Sequence, residues 1–306
     1  MTAASNEVNT GDRRDAILEL GVGSRAILDG QLVFTGEASI SIQDEGFLRG
    51  DGAFEVLLVY LGRPFAAAAH LDRLEASCAA LRLECPRALV EQDLLQLLRA
   101  SARATYAVRI VLTRGGRRIV VAKTWEAPSK PTRLAFIMNQ QQPLLVGVKS
   151  LSYAGNMLSK RLAREHGTDD ALWVSQDGRV LEAQTATFFW VSSTGELLTP
   201  PLSEGILDSI TRRLLIQHLE VQERPCHCQD ALSCTEAFLA GTTKEIQPVA
   251  SIEGRELPLV PGPVTQRAAD LYRELVAQCV ASSSATLRGK DGRMSVRAAP
   301  NFTAAD

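Results

Sequence analysis

The chain has 306 residues, of which 45% are apolar and 22% charged, with a formal net charge of −2. That composition belongs to a soluble globular protein long enough for two domains. It carries no basic excess for nucleic acid and no apolar run long enough to cross a bilayer. Residues 1–21 lack the apolar core of a secretory signal and read as a polar tail. Six scattered cysteines form no disulfide framework, which suits a cytoplasmic protein with free thiols.

Residues 26–61 read as strands, with a hairpin turning on Asp29-Gly30 and two further turn signals in 40–52. Residues 53–65 then read as strand, turn and strand start. Leu71, Leu74, Cys78 and Leu81 share one face of a helix over 70–83. Leu89, Leu94, Leu95, Leu97 and Leu98 give the stripe of a second helix over 87–103. Strands are expected at 106–113 and 134–138 with a turn at 115–118 between them, so 22–140 forms a smaller α+β domain.

A larger domain, 141–282, opens on the apolar run 144–148, expected as a buried strand that ends at Lys149. A helix follows over 153–166, with Met157, Leu158, Leu162 and Ala163 at helical spacing. Hairpins turn at Asp177-Gly178 and Thr194-Gly195. A helix over 207–220, strands at 236–240 and 247–252, and a helix over 264–280 complete the domain. Residues 283–306 offer little to bury and read as a loose tail. Strands and helices do not alternate regularly, so the fold class is α+β rather than a doubly wound parallel sheet.

The chemistry centres on Lys149. A lysine at the mouth of a buried strand is costly unless solvated, paired or used, and burial lowers its pKa toward that of a nucleophile. By itself the stretch reads more readily as a solvated lysine at a strand end. Three features would hold a phosphate: the helix start leading into Ile210 and Thr211, the strand-ending turn with Thr242 and Thr243, and Arg73 on the first helix. Each also has a plain structural use as a cap, a turn or a solvated charge. Glu182 ends an apolar strand and, if buried, needs a cation or donor, which a protonated pyridine nitrogen would supply; it fits equally as an edge-strand glutamate in water. Cys226-His227-Cys228 with Cys234 lacks the spacing of a zinc knuckle, and no metal is expected.

Taken in order, GFLRGDGAFEVLLVYLGRPFAAAAHLDRL, VKSLSYAGNM, DDALWVSQDGRVLEAQTATFFWV, LTPPLSEGILDSITR and GTTKEIQPV resemble the pyridoxal-phosphate enzymes of fold type IV. The resemblance spans about residues 26 to 280. It implies a smaller N-terminal α/β domain, a larger mixed-sheet, barrel-like domain, pyridoxal 5'-phosphate as cofactor, and a homodimer. It makes Lys149 the Schiff-base lysine that later moves the proton and Glu182 the partner of the pyridinium nitrogen. Arg73, in the H-x-x-R-L pattern from His70, becomes a phosphate contact together with Ile210, Thr211, Thr242 and Thr243. Tyr153 is placed near the ring hydroxyl. Thr187 departs from the asparagine that many members carry there.

Within the family, KSLSYAGNM, AHLDRL and RGDGAFEVLLV most resemble proteins assigned as 4-amino-4-deoxychorismate lyases, which make 4-aminobenzoate and pyruvate. Arg109, Arg114, Arg117 and Arg118 are candidates for the carboxylates of such a substrate, since guanidinium groups pair with carboxylates bidentately. They also fit as solvated loop charges. The alternatives are an aminotransferase for branched-chain amino acids, D-amino acids or R-amines, and a protein that binds the cofactor without turnover. The R-x-H element expected of a D-amino-acid aminotransferase is absent from this loop.

Overall fold

Local turn chemistry shapes the first unit. In the computed structural model, which describes residues 22–139 and 142–282, β1 (Arg25–Leu28) and β2 (Gln31–Phe34) join through Asp29 at φ 52° and Gly30 at φ 87°. Two left-handed residues make the tight turn whose twist matches a hairpin. The 40–52 stretch holds a short helix, α1 (Glu45–Arg49), rather than turns alone. Asp44 caps it by accepting from the Gly46 N–H at 2.8 Å. β3 (Gly52–Tyr60) turns into β4 (Arg63–Pro64), followed by α2 (Ala67–Ala80), α3 (Arg87–Ala100), β5 (Tyr106–Thr113) and β6 (Arg118–Thr124). β6 is an addition to the expected set.

These six strands form an antiparallel sheet in the order β2-β1-β6-β5-β3-β4. α2 and α3 cover one face, packing Leu71, Leu74, Val90 and Leu97 on Leu57 and Ile110. The other face looks toward the second unit.

β7 (Thr132–Met138) belongs to that second unit, which corrects the expected boundary near 140. It pairs in parallel with β8 (Asp170–Val174). The expected strand at 144–148 is also absent: Pro143–Leu145 is a single 3-10 turn, Leu144 is 92% exposed, and Gly147 at φ 71° breaks any extended run. α4 (Ala154–Glu165) buries Ser159 and Ala163 and leaves Met157 and Leu158 exposed. After β8 come β9 (Arg179–Ala183), β10 (Thr187–Val191), β11 (Leu197–Thr199), α5 (Ile210–His218), β12 (Val221–Glu223), β13 (Cys226–His227) and α6 (Cys228–Ser233). β14 (Glu236–Gly241), β15 (Glu245–Ile252), β16 (Arg255–Glu256) and α7 (Pro263–Ser282) complete it. The tails expected at 1–21 and 283–306 lie outside the described residues.

The large sheet runs β12-β11-β10-β14-β15-β7-β8-β9-β13, with β16 on β15. Laid flat, β9 and β10 would lie about 24 Å apart at the usual strand spacing. Yet Val180 and Ala183 share one core with Phe188, Trp190, Leu239 and Val249, and Ala183 exchanges backbone hydrogen bonds with Ala186. The sheet therefore curls into a barrel-like body, and the fold class is α+β. Among the described residues no helix is long and apolar enough to cross a membrane.

The free face of the small sheet meets this body. Leu58, Tyr60 and Ala107 pack on Ile210, Leu214 and Tyr272. The Tyr60 hydroxyl donates to Glu245 at 2.5 Å, and the Trp125 indole donates to the Thr243 carbonyl at 3.0 Å. The candidate site lies in the crevice between the two units.

Candidate active site

Alternation along β3 sends Phe54 to the crevice and Glu55 to the helix side. Lys149 Nζ lies 4.7 Å and Arg109 Cζ 3.9 Å from the centroid of the Phe54 ring. Lys149 is held there by its backbone. Its carbonyl accepts from the Phe54 N–H at 3.0 Å, its N–H donates to Ser77 Oγ at 3.1 Å, and Leu151 N–H donates to the Gly52 carbonyl at 2.8 Å. Pairing with β3 thus does what the expected strand was to do. Burial lowers the Lys149 pKa to about 8, helped by the charges of Arg73 and Arg109 and opposed by Glu55 and Glu182. Much of the amine is then neutral near pH 8 and able to attack.

Glu182, next to last in β9, is 9% exposed, and its carboxylate accepts from the Leu207 N–H at 3.1 Å. Burial raises its pKa to about 7, against the Leu207 hydrogen bond and the charges of Lys149, Arg73 and Arg212. A buried acid with one backbone donor is poorly satisfied and suited to a cationic N–H partner. Tyr153 precedes α4, packs edge-on to Phe54 with centroids 5.2 Å apart, and donates its hydroxyl to the Gln184 carbonyl at 3.2 Å. Burial, and after it the charge of Glu182, push its pKa up to about 12.

Arg73, 7% exposed on α2, donates Nε and one terminal nitrogen to Glu55 at 2.7 and 3.0 Å, and the other to the Asp208 carbonyl at 2.9 Å. Asp208 leads into α5, where Ser209 is the N-cap and accepts from the Arg212 N–H. Ile210 and Thr211, both buried, stand in the first turn of that helix, whose N–H groups lack intrahelical acceptors. Thr242 and Thr243 form the half-buried turn between β14 and β15. Ile246, just past that turn, packs in the cluster that contains Ile210. Gly241 approaches closely here: a Cβ would meet the Thr185 carbonyl at 3.1 Å. Thr187 is buried in β10, and its hydroxyl has no partner among the described residues.

Of the four candidate substrate arginines, the crevice receives Arg109 alone. Among the described residues it makes no ion pair. Arg114 clamps Asp51 at 3.0 Å and the carbonyls of Arg82 and Leu81. Arg117 pairs with Asp29 at 2.5 Å and Arg118 with Asp93 at 2.8 Å. Each of these three has its own carboxylate, brought close by the fold from a distant part of the chain, so the expected cluster does not form. The Phe54 platform and the Glu55–Arg73 pair were not anticipated. A glutamate inside AFEVLLVY was the available signal, because a carboxylate in an apolar strand needs a partner. Cys226 and Cys234 lie in the barrel core, their thiols donating to the carbonyls of His227 and Ala231. Among the described residues no group of three or more His, Cys, Asp or Glu is arranged to hold a metal.

A lysine amine of lowered pKa, a buried acid with one backbone donor, and an arginine beside a helix start thus gather at the crevice. The chain belongs to the amino-transferase class IV family, whose model matches residues 52–252. It is 31% identical over 74% of its length to a Methanocaldococcus jannaschii protein with a provisional branched-chain-amino-acid aminotransferase name, covering 88% of that protein. It is 26% identical over 83% of its length to the aminodeoxychorismate lyase of Bacillus subtilis, covering 95% of it. A structure described as a hypothetical aminotransferase from Mycobacterium tuberculosis, solved in its PLP-bound form, superposes with a TM-score of 0.74 at 26% identity. That match covers 85% of this chain and 99% of the other. The protein is therefore a pyridoxal 5'-phosphate (PLP)-dependent enzyme of the aminotransferase and lyase family.

Proposed function

We propose that the enzyme removes a proton from the amine-bearing carbon of a small amino carboxylate and works as an aminotransferase. Arg109 carries this reading. One half-buried guanidinium, unpaired among the described residues and sharing the Phe54 ring with Lys149, is a receptor for one carboxylate beside the reacting amine. Three arginines that would have suited a dicarboxylate hold other partners. In this reading Lys149 Nζ would hold the cofactor and would move the proton at the substrate's amine-bearing carbon. Glu182 would hold the ring nitrogen, and Tyr153 would lie on the side of the ring hydroxyl. Arg73, the α5 start at Ile210 and Thr211, and the Thr242-Thr243 turn hold the phosphate. When bound, PLP supplies the electron sink for the pair left by the departing proton.

A homodimer belongs to the same reading. Ile42, Phe47, Leu48, Leu144, Met157 and Leu158 are exposed apolar side chains that a second copy would cover.

Resemblance to the Bacillus subtilis lyase carries the second reading, release of pyruvate from 4-amino-4-deoxychorismate. The visible spectrum of the holoenzyme separates the two when D-alanine, L-leucine and 1-phenylethylamine are added singly. Bleaching by an amino acid, and not by the carboxylate-free amine, is the expected result. A band that survives all three donors, with pyruvate released from aminodeoxychorismate, would make the enzyme a lyase.

A further inference from the structure

We propose that Glu55 is a positioning residue for the cofactor's phosphate, fixing the plane of the Arg73 guanidinium at the start of α5. The inference rests on the reading that Arg73 meets that phosphate.

Glu55 is fully buried in β3, and its carboxylate accepts four hydrogen bonds, one on Oε1 and three on Oε2. It accepts from Arg73 Nε at 2.7 Å, an Arg73 terminal nitrogen at 3.0 Å, His70 Nδ1 at 2.9 Å and the Val56 N–H at 3.2 Å. An ionised carboxylate only accepts, so His70 carries its proton on Nδ1. Burial opposes ionisation of Glu55, but the Arg73 charge and the hydrogen bonds from His70 and Arg73 bring its pKa down to about 2. The carboxylate is thus a fixed anchor across the working pH range.

Arg73 spends one edge on Glu55 and one further N–H on the Asp208 carbonyl. Of five guanidinium donors, three are used and two are left for a ligand. They sit on a plane that cannot rotate without breaking two charge-assisted bonds. His70 and Arg73 lie three apart on α2, so both reach the same strand residue from one helix face.

Glu55 and Arg73 are opposite charges in direct contact, so together they present little net charge to a phosphate. What they present is oriented N–H groups. Charge and orientation therefore predict opposite signs for one substitution. If charge governed phosphate binding, Glu55→Gln would free the positive charge of Arg73 and tighten PLP. If orientation governs, the same change loosens the guanidinium and weakens PLP. Glu55→Asp keeps the charge but retracts the carboxylate by one methylene, so orientation predicts weakening there too.

The test measures PLP loss from the holoenzyme on dilution and the PLP dissociation constant on reconstitution. Pyridoxal, which has no phosphate, serves as the second probe. Glu55→Gln and Glu55→Asp are expected to weaken PLP by about tenfold or more, the scale of one oriented charge-assisted contact, with pyridoxal changed less than about twofold. Arg73→Lys should weaken PLP at least as much. Circular dichroism and Tm confirm folding, and Glu55→Asp decides the matter if Glu55→Gln does not fold. If Arg73→Lys weakens PLP while both Glu55 variants bind it as tightly as wild type or more so, positioning is overturned and the phosphate reading stands. Equal weakening of PLP and pyridoxal by the Glu55 variants would reduce Glu55 to a general structural role and also overturn the proposal. An unchanged ratio of PLP to pyridoxal affinity in Arg73→Lys would remove the phosphate reading itself.

Discussion

Replacing Arg109 with leucine separates substrate recognition from everything else in the site. Arg109 Cζ stands 3.9 Å from the Phe54 centroid, and no ion pair is made by Arg109 among the described residues. Burial lowers its pKa, so the free enzyme keeps this cation at a desolvation cost that the aromatic contact, worth about 0.5–2 kcal/mol, only partly offsets. Leucine fills similar stem volume without the charge, so folding stability should hold within about 1 kcal/mol or rise. The loss falls on substrate. Removing one partner of a charge-assisted carboxylate pair costs about 3 kcal/mol, or about 150-fold in kcat/KM. The assay compares kcat/KM for an amino acid with that for the corresponding amine lacking the carboxylate. Arg109→Leu should lose about two orders of magnitude on the former and less than about threefold on the latter. Equal losses on both would mean that Arg109 acts on the chemistry or the fold rather than on a carboxylate.

Other consequences follow from the same geometry. Burial raises Glu182 from 4.5 to about 7, so the folded, cofactor-free protein holds that proton more tightly than the unfolded chain. Its contribution is present in full below pH 4.5 and lost as pH rises through 7, a change of about 3 kcal/mol. Cofactor-free Glu182→Gln should therefore melt above wild type beyond pH 7 and level with it near pH 4, while holoenzyme turnover collapses; parallel melting curves at all pH values would contradict the account. Lys149 shifts the other way, from 10.5 to about 8, so the rate at which cofactor-free protein takes up PLP should climb through pH 8. A climb near pH 10 would mean an unperturbed amine. In Gly52→Ala the new Cβ would run into the Leu112 carbonyl, and Gly52 also accepts from the Leu151 N–H. Thermal melts should show a loss of about 1–3 kcal/mol, with PLP affinity falling alongside because the Lys149 loop is tied to that strand start.

What was legible in the sequence is what local chemistry determines. The turns at Asp29-Gly30, Asp177-Gly178 and Thr194-Gly195 appear where their residues demand them, and β5 spans the expected 106–113. Lys149 and Glu182 stood out because each is a charge set in an apolar run. Misplaced features depend on distant residues. The apolar run 144–148 reads as a core strand, but Leu144 is exposed and Gly147 turns left-handed, so Lys149 is anchored by β3 instead. Strand 134–138 is real, yet only its pairing with β8 and β15 assigns it to the large sheet. Arg114, Arg117 and Arg118 resemble a cluster along the chain. Their partners, Asp51, Asp29 and Asp93, come from elsewhere in the fold. Glu55 could be flagged as an acid needing a cation, but the choice of Arg73 awaited the packing of α2 on β3.

Lys149, facing Phe54 and within reach of the charge of Glu182, is the expected point of cofactor attachment. Borohydride reduction of the holoenzyme, followed by proteolysis and mass spectrometry, tests it directly. The reduced cofactor is expected on the peptide containing Lys149, with the label lost in Lys149→Ala. A label on Lys244, which pairs with Asp170 at 2.8 Å, or on any other lysine, or no label at all, would contradict it.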